Sequence, residues 1–130
     1  DALEAVRSAQ QEGYVPGGGL TLFFISSQLE CDDQSTDSYS AGFEIVREAL
    51  KSPVVALARN SQLDYEELVS GFDFDHDESR YVGYDFRTDR YVNMLEVGVI
   101  DPVKVVRCAL ENAVSVASTL LTTNAAIVEE

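Results

Sequence analysis

Apolar residues along this chain recur mainly every three or four positions, the spacing of a helix with one buried face, and one stretch alternates as paired strands do. Leu3, Val6 and Ala9 or Gln10 share a face, Asp1 and Glu4 have the spacing of a capping box, and Gly13 offers a helix stop. Residues 20–29 resume the helical pattern with Leu20, Phe23, Phe24 and Ser27 on one side, and the small Ser26–Ser27 pair admits a close neighbouring helix. Residues 43–61 predict a third helix with the stripe Phe43, Val46, Leu50, Val54 and Leu57, and Pro53 should kink or split it. Asp64 and Glu67 form a second capping-box pair ahead of a short helix over 65–71. The longest period is Val103, Val106, Leu110, Ala113, Val114, Ala117 and Leu121, with Asp101 as N-cap and Pro102 at the first helical position.

Between these helices the pattern changes twice. The polar, acidic stretch ECDDQSTDSYSAG has no period and reads as a loop. Tyr81, Val82, Tyr84 and Phe86 lead into the turn Arg87-Thr88-Asp89, with Tyr91 and Val92 beyond it, which is a hairpin signal. NMLEVG predicts one helical turn stopped by Gly98, and NAAIV a short C-terminal strand. The predicted class is mostly α, a helical bundle with one β-hairpin and a short last strand.

Composition narrows the partners. The 130 residues suffice for one ordinary domain, and 45% apolar content fits a packed core. The 23 acidic and 9 basic residues give a formal net charge of −14, which repels nucleic-acid backbones and anionic membrane surfaces, so neither is expected as a partner. Cys31 and Cys108 have no paired-ligand spacing and suit a reducing compartment as ordinary side chains. The helical pattern is already running at the first residue, which suggests a piece of a longer chain.

Three features carry candidate chemistry. In EGYVPGGGLTL, the run Gly17-Gly18-Gly19 is either a helix stop followed by a loose turn or bare backbone that a flat or anionic ligand can approach. Asp101 is either a cap or a carboxylate able to accept hydrogen bonds from a ribose, and Asp1 is by default a cap. The acidic run DFDHDES spaces Asp73, Asp75 and Asp77 as a calcium loop does. It has Glu78 where such a loop turns on glycine and Tyr84 where it needs a bidentate Glu, so it reads as a solvated loop with no metal expected.

In their joint order, EGYVPGGG, the GY before the hairpin, VGVIDPVKVVR and SVASTLLTT resemble the C-terminal part of the group I chaperonins, the chaperonin-60 family. The likeness spans nearly the whole chain and is loosest over residues 30–82. It implies that residues 1–11 end an intermediate domain and 12–130 form the second half of an equatorial ATP-binding domain. It further implies that Gly17 and Gly18 lie against the ribose and adenine, that Asp85, Phe86 and Arg87 face the adenine, that Val99 lines its pocket, and that Asp101 binds the nucleotide. Asp1 aligns with the catalytic aspartate. The activity implied is an ATPase of the full-length chain that drives protein folding. ATP is then the cofactor, with Mg2+ and K+ held by residues outside this stretch.

The implied partners are copies of the chain in a seven-membered ring, unfolded client proteins and a co-chaperonin. The implied location is the cytoplasm, in a bacterial or phage-encoded form, or a mitochondrial matrix or plastid stroma. Two departures modify the picture. The hairpin has Asp85-Phe86-Arg87 where the family has Asn-Ala-Ala. Val54 and Val55 stand where a basic residue follows the proline, which removes a ring-to-ring charge pair and leaves a second ring open. The alternative expectation is therefore a divergent ring subunit with impaired ATPase activity, acting as a structural or regulatory component. On either expectation the isolated stretch, without the family's Gly-Asp-Gly-Thr phosphate loop, is inactive.

Overall fold

A computed structural model describes residues 1–34, 36–124 and 127–129. It is mostly helical with one hairpin, as the periodicity predicts, and has a second strand pair that the pattern does not announce. In chain order the elements are α1 (Ala2–Glu12), β1 (Tyr14–Pro16), α2 (Leu20–Gln28), α3 (Asp37–Asn60), α4 (Tyr65–Ser70), β2 (Val82–Asp85), β3 (Arg90–Asn93), α5 (Met94–Val97), β4 (Ile100–Pro102) and α6 (Val103–Leu121). β1 pairs with β4, and β2 runs antiparallel to β3 with Tyr84 opposite Tyr91 and Asp85 opposite Arg90. The chain forms two compact units: residues 15–100, and residues 1–14 together with 101–130.

The core of the 15–100 unit is built on α3. Val54 and Ala58 are fully buried with Leu68 of α4, and Phe23, Phe72, Tyr84 and Phe86 pack around them. α3 does not split at Pro53; it is one 24-residue helix. A proline inside a helix removes a hydrogen bond and costs about 3 kcal/mol. Here the turn after it carries the buried Val54 and Ala58, whose packing offsets that loss. α3 also starts six residues before the sequence pattern does, inside the expected loop. Thr36 caps it by accepting from the Tyr39 amide at 3.2 Å, and Asp37 stands in its positive first turn. That first stretch is solvated, so no apolar period announces it.

α2 is apolar on nearly every side, so its pattern does not choose a face. Leu20 and Ser26 are buried, whereas Ser27, expected on the inner stripe, is exposed. Ser26 satisfies its hydroxyl on the Phe23 carbonyl at 2.6 Å and leaves room for α3. Aromatic rings then continue from α2 into the hairpin. Phe23 meets Phe72 edge-on at 5.2 Å, Phe72 meets Tyr91 at 6.4 Å, Tyr91 meets Tyr84 at 5.2 Å and Tyr84 meets Phe86 at 5.0 Å. The Tyr91 hydroxyl donates to the Leu68 carbonyl at 2.7 Å and ties β3 to α4.

In the other unit, α1 and α6 pack together through their polar ends. Arg107 donates from Nε and Nη2 to the two Glu12 oxygens at 3.1 and 3.0 Å, Lys104 reaches Gln11 at 2.8 Å, and the Val103 amide donates to the Gly13 carbonyl. α6 has the clearest helical period in the sequence, yet none of its residues is buried, and Val114 and Leu121 are 52% and 87% exposed. Several sequence expectations are corrected here. Asp1 occupies the N-cap of α1 but makes no side-chain capping bond, and the Glu4 carboxylate pairs with Arg7. Asp101 is not a cap: it lies in β4, and Pro102 is the N-cap of a helix that begins at Val103. Strand pairing extends through the residues that an isolated Asp-Pro would give to the helix start. The expected last strand falls partly on residues 125 and 126, outside the described residues, and Ile127 and Val128 are in no strand.

The glycine run is packed, not loose. Gly18 and Gly19 have φ of +66° and +76°, and α2 starts directly from Gly19. A Cβ on Gly19 would lie 2.9 Å from Val54 Cγ2, and one on Gly18 would lie 2.8 Å from Met94 Cε. Gly42, by contrast, sits within α3 with open space around it. In the full-length protein, Gly19→Ala should lower the unfolding free energy by about 1–3 kcal/mol. Gly42→Ala should raise it by about 0.5–1 kcal/mol. Urea unfolding of the two variants beside the parent checks both signs.

Candidate functional site

The turn at 17–19 also forms one side of a cavity. The Gly17 amide donates to the Val99 carbonyl at 2.8 Å, and a Cβ on Gly17 would press on that carbonyl at 3.2 Å. This close approach holds residues 97–99 beside the glycines. Gly98, with φ +78°, ends α5 so that the Val99 amide can return to the Met94 carbonyl at 2.9 Å. The hairpin end, residues 84–87, and Leu57 of α3 complete the walls of a cavity of about 370 Å³. All of its lining belongs to the 15–100 unit.

The hydrogen-bonding groups around it are mostly committed. Asp85 is buried, and its carboxylate accepts from the Arg87 amide at 3.0 Å and from the Thr88 hydroxyl at 2.9 Å. These two bonds, led by the Arg87 amide, hold its carboxyl below the usual carboxylate value. The Tyr84 hydroxyl points to Asp89 at 3.4 Å. The Arg87 side chain is exposed and makes no ion pair or side-chain hydrogen bond among the described residues. Phe86 is half-buried against Tyr84.

The cavity thus joins Gly18, Asp85, Phe86, Arg87 and Val99, with Gly17 bonded to Val99 behind them. Asp1 and Asp101 belong to the other compact unit. Asp101 is half-buried, and its carboxylate accepts no hydrogen bond among the described residues. Burial alone pushes its carboxyl above the ordinary value, as expected for a charge that has lost water and gained no partner. Asp1 is exposed, and its side chain is not engaged by the helix it precedes.

The whole chain, residues 1–130, matches the TCP-1/cpn60 chaperonin family. It belongs to that family. It is also similar to a solved protein described as "group III chaperonin in the open state", with 31% identity and a TM-score of 0.81 over 92% of this chain. The match takes in 25% of that protein, so the chain spans about a quarter of its length. Sequence reasoning on this chaperonin chain missed four lining residues: Leu57, Tyr84, Val97 and Gly98. Leu57 and Tyr84 fit core and strand patterns equally well. Gly98 gave a signal, since it immediately precedes the singled-out Val99.

The acidic run is a self-bonded turn. Asp73 accepts from the Asp75 amide at 3.1 Å and the Ser79 hydroxyl at 3.1 Å, and it faces His76 Nδ1 at 2.8 Å.

Asp101 gives a pH signature. Its folded-state value lies above the unfolded one, so the charged form weakens the fold once the pH rises through that interval. The penalty is complete once the pH stands above the folded value and disappears in acid below the unfolded value. Asp101→Asn should therefore raise the thermal midpoint of the full-length protein at neutral pH. The gain should fade as the pH falls toward about 4. Melting curves across that range read out the sign.

Proposed function

We propose that this chain is part of the subunit of an ATP-dependent protein-folding chaperonin, and that the cavity beside the glycine turn takes the base end of the nucleotide. One observation carries the reading: three segments far apart in sequence, at Gly18, at residues 85–87 and at Val99, meet around one cavity. These are the segments that the family resemblance assigns to the nucleotide. The cavity's size and lining fit a flat heterocycle. Leu57, Val97, Val99 and Phe86 offer apolar faces, and Gly18 presents backbone without a side chain.

Asp101 carries an unpaired, partly desolvated carboxylate, the type of group that accepts hydrogen bonds from ribose hydroxyls. Asp1, free of its capping duty, can orient a water and accept its proton as the water's oxygen attacks the terminal phosphorus and the bond to the leaving oxygen breaks. Mg2+ supplies charge neutralisation of the phosphate oxygens when bound; its ligands, and those of K+, lie outside residues 1–130 in this proposal. Assembly into a ring and handling of unfolded clients belong to the same proposal, since the family forms oligomeric rings. The motifs around Gly17 and Asp101 support placing the protein near group I, whereas the solved relative is described as group III.

The test is ATP hydrolysis by the full-length protein. Asp1→Ala should cut turnover by about 100-fold or more while nucleotide remains bound. Turnover unchanged by that substitution overturns the reading. A parent protein that binds ATP but does not turn it over supports the structural or regulatory ring subunit instead.

A further inference from the structure

A two-stranded hairpin is marginal by itself, so the place of its rings is set by what holds the strands against the helices. The hairpin supplies two rings to the cavity, Tyr84 and Phe86, and both also pack against the core of α3 and α4. β3 is held differently. Tyr91 stands opposite Tyr84 in the register, and its hydroxyl donates to the Leu68 carbonyl at 2.7 Å. Among the described residues this is the one side-chain hydrogen bond from the hairpin strands to α2, α3 or α4. It gives a second donor to a carbonyl in the last turn of α4, which otherwise accepts only the Gly71 amide at 3.3 Å.

The Tyr91 ring has a seat cut for it. Gly71, the C-cap of α4, has φ −83° and ψ −7°, a conformation open to any residue. A Cβ there would nevertheless overlap the Tyr91 ring at Cζ and Cε1. The glycine is needed by the ring, not by the backbone. On its other sides the ring meets Phe72 edge-on at 6.4 Å and Tyr84 edge-on at 5.2 Å, and Tyr84 meets Phe86 at 5.0 Å. Tyr91 does not line the cavity; it stands behind the rings that do. It is 43% exposed, so truncating it opens no sealed void in the core.

We propose that Tyr91 is a positioning residue for the nucleotide cavity: seated over Gly71 and bonded to the Leu68 carbonyl, it sets where Tyr84, and through it Phe86, stand in the cavity wall. This rests on the nucleotide reading of the cavity given above. With Tyr91 in place the wall is already ordered before a ligand enters. Without it, binding has to order the hairpin rings and loses affinity by that cost.

Titration calorimetry of the full-length protein with ADP and Mg2+ tests it, at a temperature where melting curves show each variant folded. Tyr91→Phe should weaken ADP binding about fivefold, and Tyr91→Leu, which also loses the ring contacts, about tenfold or more. Gly71 lies outside the cavity lining, yet Gly71→Ala should weaken ADP about fivefold, because its methyl group takes the ring's seat. Added to Tyr91→Leu, Gly71→Ala should weaken binding by less than about twofold more, since the ring it displaces is gone. Should Tyr91→Leu fail to fold, Tyr91→Phe and Gly71→Ala decide alone. Affinities within about twofold of the parent in the folded variants, whatever their melting midpoints, overturn the inference and leave the nucleotide reading intact. A full additive loss in the double variant does the same. A parent protein that binds no ADP overturns the nucleotide reading itself.

Discussion

Everything in the larger unit depends on how closely backbone can approach backbone at residues 17–19. Gly17 lies against the Val99 carbonyl, Gly18 against Met94 and Gly19 against Val54, so that a Cβ would be tight at Gly17, displace the Met94 side chain at Gly18 and clash with Val54 at Gly19. Two of the three residues also need positive φ. Side chains at these positions would push apart the start of α2, the middle of α3 and the segment after α5 together. The same contact forms the core and opens the cavity, because the side of Gly18 not occupied by Met94 is left bare. The question of a turn or a ligand wall is thus not a choice between exclusive answers: the run is a tightly packed turn that also lines a cavity.

The aromatic succession from Phe23 through Phe72, Tyr91 and Tyr84 to Phe86 connects the helical core to the hairpin end. Edge-to-face geometry restricts how each ring can sit once its neighbour is placed. The hairpin end is then held twice, by ring packing and by the Asp85 carboxylate closing its own turn. A pocket edge built this way is preorganised. The turn leaves the Arg87 side chain exposed at the cavity's edge, with no side-chain partner among the described residues.

Much of the fold was legible in sequence because local signals and tertiary burial agreed. The cap at Asp64, the stop at Gly98 and the hairpin alternation all stand where pattern predicts them. The misreadings share a physical cause, since each is a place where a distant contact overrode a local preference. α3 runs on through Pro53 because Val54 and Ala58 are buried beyond it. Asp101 leaves the helix cap because β4 takes it. In α2 the all-round apolar surface carried no directional information, and only its neighbours selected Ser26 over Ser27.

The candidate site divides in the same way. Sequence alone determined which residue types and motifs were available: the glycines, the Asp-Phe-Arg departure in the hairpin, and the order of signatures that identifies the family. Hydrophobic period, capping and turn chemistry are local properties, so they survive without coordinates. Tertiary structure alone decided that Gly18, Asp85, Phe86, Arg87 and Val99 share a cavity, that the Asp85 carboxylate is consumed internally, and that the half-buried Asp101 carboxylate has no partner among the described residues. These depend on contacts between segments tens of residues apart, and on whether a polar atom already has a partner. No local pattern encodes either property.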